Sequence, residues 1–219
     1  DIRLHYNWGY NRMRPLSGTL PEDFPNYHMT MIPLDGERMT AQLPWGTELP
    51  LDPFFGVMGT APPPEWGRQP STMPRAFGGN LDIKALSKGA TLFLPVFVDG
   101  GLFSAGDGHG CQGDGEVDGT AIETGLIGTF EIHLHKQQTI SMPRAETETH
   151  YIAIGIDPSL DAAAKQALRE MIAFICDRTN LSREEAYTLC SLAADMHVSQ
   201  TVNVHKGIHV MLPKSALHG

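Results

Sequence analysis

The stretch of the chain richest in reactive side chains is Gly106-Asp107-Gly108-His109-Gly110-Cys111-Gln112-Gly113-Asp114-Gly115-Glu116-Val117-Asp118-Gly119-Thr120-Ala121-Ile122-Glu123. An acidic surface face has no need of the glycines interleaved here. They mark backbone bends and close approach to a ligand. In an extended chain, residues two apart point the same way, which pairs Asp107 with His109 and Asp114 with Glu116. An imidazole beside a carboxylate suits a divalent metal such as zinc, and a neighbouring Glu suits a general base. His109 is therefore the first candidate metal ligand, and Asp107 either ligates beside it or orients it from behind. Glu116, Glu123 and Asp114 are the candidates for acid–base work, although Asp114 could simply hold the loop. Gln112, with Asn80 and Asp82 from a separate loop, is a candidate for binding substrate. A turn-forming role is the plain alternative for Asn80 and Asp82.

Other readings compete. Asp114, Glu116, Asp118 and Gly119 faintly echo a calcium loop, but Gly125 stands where a bidentate Glu is required. A non-catalytic metal- or calcium-binding β module therefore remains an alternative to an enzyme. Cys111 opens a third route, a thiolate nucleophile of the kind some amidases use. His133 and His135 share a strand face and read as solvated. His205 and His209 flank Lys206-Gly207, a turn, so a metal shared between them is not expected.

The elements that must position these residues are mostly strands. Short strand-like runs occur at 1–6, 28–33, 37–43 and 54–60, separated by Pro- and Gly-rich loops such as Ala61-Pro62-Pro63-Pro64. Residues 90–98 are apolar and β-branched, 129–135 alternate between apolar and polar, and 150–155 and 201–204 read as strands too. Residues 158–197 form a helical subregion. Asp157-Pro158 resembles an N-cap with Pro at the first helical position. Leu160, Ala164, Leu168, Met171, Ile172 and Ile175 then follow helical spacing. Ser182-Arg183-Glu184-Glu185 has the capping-box pattern, opening a second helix to about Met196. The expected fold class is α+β, predominantly antiparallel β and sandwich- or jelly-roll-like, with a C-terminal helical pair.

Composition narrows the function classes. A net charge of −9 argues against nucleic acid or an anionic membrane as partner. The three cysteines are too few and too scattered for a disulfide framework, which favours a reducing compartment. No apolar run reaches the length of a membrane span.

The run 106–123 also resembles the signature of the acetamidase/formamidase family, in which Gly-Asp-x-His is followed by Gln-Gly-Asp-Gly-Glu and Ala-Ile-Glu. The likeness extends to Gly78-Gly79-Asn80-Leu81-Asp82-Ile83-Lys84, the strand 92–98, Pro143-Arg144-Ala145-Glu146-Thr147, and segments 189–195, 200–202 and 207–213. The resemblance implies metal-assisted hydrolysis of a small amide (formamide, acetamide or a γ-lactam) to a carboxylate and ammonia or an amine. It also implies a cytoplasmic homo-oligomer. Two positions depart from the pattern: Asp118 stands where a Cys or small residue is common, and Cys111 stands where Ala is common. A nucleophile could not be replaced by Ala, so the thiol route weakens. The family carries roughly a hundred residues upstream of the position matching Asp1, including a His/Trp/Asp motif that contributes metal ligands. Residues 1–219 are therefore expected to be a single catalytic region forming the C-terminal part of a larger amidase. An N-terminal chain or fragment is expected to complete the site.

Overall fold

The computed structural model describes residues 1–217. Fourteen strands and two helices run in the order β1 (Ile2–Leu4), β2 (Trp8–Met13), β3 (His28–Asp35), β4 (Thr40–Gln42), β5 (Glu48–Pro50), β6 (Phe54–Gly59), β7 (Gly78–Asn80), β8 (Thr91–Phe93), β9 (Ser104–His109), β10 (Leu126–Gly128), β11 (Arg144–Glu146), β12 (His150–Asp157), α1 (Leu160–Arg178), α2 (Arg183–Ala193), β13 (Asp195–Gln200) and β14 (Lys206–Pro213). The strands divide over four sheets, ordered β13-β14-β12-β11-β8, β2-β3-β4-β5, β7-β6-β9 and β1-β10. Every pairing within the sheets is antiparallel. The α+β class and the C-terminal helical pair expected from the sequence are both present.

Helix α1 covers the largest sheet, and its docking explains which residues it buries. Gly155 of β12 lies directly beneath the helix: a Cβ there would run into the carbonyl oxygen of Ala163 and come within 2.6 Å of the Ala167 nitrogen. So close an approach requires small residues on the facing stripe. The buried residues are Ala163, Ala167, Met171, Ile172 and Ile175, while Ala164 and Leu168 from the anticipated stripe are only partly buried. Ala153, Ile208, Val210 and Leu212 complete this core, each large aliphatic side chain contributing roughly 1.5–3 kcal/mol of burial.

Several boundaries move. Ser159, not Asp157, caps α1, its side chain accepting from the Ala162 nitrogen at 3.5 Å. Asp157 instead accepts from the Ser159 nitrogen at 2.8 Å. The capping box of Ser182 and Glu185 forms as expected. Helix α2 stops at Ala193, so residues 195–197 of the anticipated helical subregion belong to β13. Residues 201–204 form no strand; the chain there turns into β14. Nor do residues 129–135: Ile132 and Leu134 are exposed, and no partner strand among the described residues satisfies their backbone.

Strand β9 is the element that carries the signature. It pairs with β6 so that His109 faces Phe54 and Gly108 faces Phe55. Past His109 the chain folds back on itself: the Gly110 nitrogen donates to Ile122 O at 2.7 Å, and the Thr124 nitrogen to Gly108 O at 2.8 Å. Residues 112–121 are thereby held as a closed loop.

Candidate active site

His109 is completely buried, with Phe54 edge-on to its ring at 5.0 Å. Its Nε2 lies 3.4 Å from Asp107 Oδ2 and 3.4 Å from Glu123 Oε1, and its Nδ1 lies 3.9 Å from Asp82 Oδ1. The two Nε2 contacts miss hydrogen-bond geometry, and the Nδ1 contact is too long for one. Neither ring nitrogen has a hydrogen-bond partner among the described residues, and neither does Asp82 Oδ1. Glu116, also buried, approaches the same imidazole beside Glu123.

Three of the four carboxylates are delivered by an unusual backbone. Asp82 (φ 49°), Asp107 (φ 60°) and Glu116 (φ 45°) all occupy the left-handed region that L-residues avoid. Strain of this kind concentrates at functional sites. Gly56 forms the floor. A Cβ there would collide with Asp82 Oδ1, and would sit 2.6 Å from Asp107 Oδ2 and 2.9 Å from the His109 Cε1 atom. Its carbonyl accepts from the Leu81 and Asp82 nitrogens at 2.9 and 3.2 Å, which pins the Asp82 loop against β6. From the far side, Asn203 donates to Asp82 Oδ2 and to the Asn80 carbonyl.

So many acids around one buried imidazole force protons to be kept. Burial alone pulls His109 down, but the close approach of the Asp107 and Glu123 carboxylates, with the charges of Glu123 and Asp82, outweighs it and pushes its pKa up to about 11. Burial drives Glu116 up as well, reinforced by the Asp82 charge. Burial likewise raises Asp82, against the pull of His109.

The remaining expected residues divide. Asn80 and Gln112 border the centre, and each buries an amide oxygen that lacks a partner among the described residues. The Gln112 Nε2 donates to the Asp82 carbonyl at 2.9 Å. Asp114 is not part of the centre. Gly115 (φ 98°) and Glu116 turn the loop, so Asp114 and Glu116 do not share a face as an extended chain would have them do. Asp114 meets His197 Nδ1 at 3.0 Å and Lys84 Nζ at 3.2 Å instead. Asp118 ties the loop to β2, accepting from Asn11 Nδ2 and the Thr120 nitrogen. Burial pushes the Cys111 thiol up, the wrong direction for a nucleophilic thiolate. His133 is exposed and paired with Glu131. Sequence reasoning missed Gly56 and Asn203. A glycine inside the apolar run 54–58 was the available signal for the first; nothing local marked the second.

A model of the acetamidase/formamidase family matches residues 69–218. The chain belongs to that family. Its sequence is 48% identical to an acetamidase of Mycolicibacterium smegmatis over 62 residues, which is 28% of this chain and 15% of that protein. It is 54% identical to a formamidase of Methylophilus methylotrophus over 44 residues, which is 20% of this chain and 11% of that protein. The crystal structure of an acetamidase from Bacillus halodurans superposes with a TM-score of 0.88 at 37% identity, covering 97% of this chain and 70% of that one. Family membership extends over both the strands that carry His109 and the C-terminal helices and hairpin. No helix among the described residues is long and apolar enough to cross a membrane.

Proposed function

We propose that the protein hydrolyses a small amide (formamide, acetamide or a γ-lactam) to a carboxylate and ammonia or an amine, with a divalent metal at the His109 centre. The observation that carries this reading is a fully buried imidazole with both nitrogens unpartnered among the described residues, set among acids that retain protons. A dication would take the place of the proton on His109, so the donor set fits a metal. His109 and Asp107 are the residues to hold it, with Asp82 in reach of both and with Glu116 and Glu123 alongside. When bound, the metal supplies a Lewis-acid centre that polarises an amide carbonyl and makes water a better nucleophile at neutral pH. Zinc is the first metal to test; one imidazole among carboxylates also suits manganese.

The chain's own groups supply the rest. The unpaired amide oxygens of Asn80 and Gln112 are acceptors for the N–H groups of a primary amide. Glu116, kept protonated by burial, can give its proton to the departing nitrogen. Glu123 is oriented by the Ala121 nitrogen, which donates to its Oε1 at 3.1 Å, and can accept the proton of the attacking water.

The working unit in this reading is a cytoplasmic homo-oligomer whose site a further polypeptide segment completes. Two features support the segment. The Asp107 side chain is 32% exposed, leaving the centre open on one side. Tyr6, Trp8, Met29 and Met31 form an exposed apolar patch near the start of the chain. Ammonia release from formamide and acetamide, and ring opening of small lactams, should appear with metal and vanish with a chelator. Silence across that panel, with the segment supplied, would leave a binding module.

A further inference from the structure

We infer that Asp114, His197 and His209 form a second divalent-metal site, separate from the His109 centre and suited to zinc or another imidazole-preferring transition ion. One ligand atom from each of the three lies within 4.8 Å of the others. The two histidines are register partners on β13 and β14, so they project from the same face of the sheet. Their rings stack, centroids 5.1 Å apart.

Asp114 is brought to that face by the fold. Gly115 is sewn to the end of β13: its nitrogen donates to Ser199 O at 3.2 Å, and its carbonyl accepts from the Thr201 nitrogen at 3.0 Å. Two of the three donors are also held from behind, as metal ligands often are. The Ser199 hydroxyl engages His209 Nδ1 at 2.8 Å, which leaves Nε2 as that ring's ligand atom. Lys84 engages Asp114 Oδ1, which leaves Oδ2, the oxygen facing His197. His209 itself is 1% exposed and fixed, whereas the His197 side chain is 33% exposed and free to close the last ångström. Zinc at about 2.0–2.2 Å from each donor needs the donors roughly 3.5 Å apart.

Two imidazoles and one carboxylate leave a fourth position for water. Such an ion would staple the loop 112–121, and with it Glu116, to the C-terminal hairpin. The polar links among Asp114, His197 and Lys84 do the same more weakly without it.

The test is metal stoichiometry on the full chain, loaded with zinc or cobalt(II) and freed of excess. His197→Gln should lose one equivalent, or bind it at least 100-fold more weakly, and His109→Ala should keep that equivalent. Ser199→Ala should weaken it about tenfold, as loss of a partner behind a ligand does. The cobalt(II) protein should lose in His197→Gln a part of its visible absorption that His109→Ala keeps. If the His109 centre binds nothing, wild type holds one equivalent that His197→Gln removes; the inference stands and the metal at His109 falls. If wild type loses all its metal in His109→Ala and none in His197→Gln, the second site does not exist. His209→Asn serves as a repeat should His197→Gln fold poorly, with circular dichroism confirming the fold of each variant.

Discussion

The His109 centre and the His197–His209 cluster are built from adjacent pieces of the same two loops, yet they have opposite character. Asp82 and Glu116 go to the first, and their near neighbours Lys84 and Asp114 go to the second. The first gathers carboxylates around one imidazole, and the excess negative charge pushes His109 up to about 11. The second sets two imidazoles beside one carboxylate and a lysine. Burial there pushes His209 down to about 4, so its ring stays neutral. Two histidines of the same chain thus hold opposite charge states because of what the fold places against them. The acid-rich pocket concentrates negative charge around a single imidazole, whereas the neutral His209 ring is held by Ser199 at Nδ1.

The largest expected effect would break the comparison at its first member. His109→Ala should lower ammonia release by about 1,000-fold, ~4 kcal/mol of transition-state stabilisation. Retention of even a tenth of the wild-type rate would remove His109 from the chemistry. Gly56→Ala should follow, since its Cβ would occupy the space between Asp82, Asp107 and His109. Metal retained after dialysis should fall by about 100-fold, and unchanged affinity would mean the floor is not that tight.

A third measurement sharpens the contrast in charge. In chelator-treated protein, His209 has a folded pKa of about 4 against 6.5 in its ordinary state. Between those values the unfolded chain binds a proton that the folded chain refuses. The stabilising contribution is therefore complete above pH 6.5 and lost as the pH falls to 4, to the extent of about 3 kcal/mol. His109 runs the other way: its contribution is present below pH 6.5 and is lost as the pH rises through about 11. Melting temperatures of wild type and His209→Asn between pH 4 and 7 should converge toward the acid end. Parallel curves would sink the assignment. The smallest effect concerns neither cluster. Cys111→Ala should keep at least about half of the activity, because its thiol is held protonated; an inactive variant would restore the thiol route.

Local rules read the elements that depend on neighbours in sequence. Ser182 and Glu185 announce their helix because a capping box closes within one turn. The glycines of 106–119 announce a bent, ligand-facing backbone, and the structure gathers Asp107, His109, Glu116 and Glu123 from that one stretch. Alternation over 129–135 misled for the converse reason. A strand exists only where another strand accepts its hydrogen bonds, and beyond Thr129, which meets Asp1, no strand among the described residues reaches this segment.

By itself, then, the sequence determined the composition of the signature and its kinship, since both are properties of contiguous residues. Only the tertiary structure decided how those residues were shared out. Whether Asp114 sided with Glu116 or with His197 turned on a left-handed backbone at residues 115 and 116 and on the seam between Gly115 and Ser199. Asn203 reached Asp82 across 121 residues of chain. His197 met His209 because two strands happened to pair in that register and no other. Shifting that register by one residue would put the two rings on opposite faces of the sheet, and no spacing along the chain records the choice.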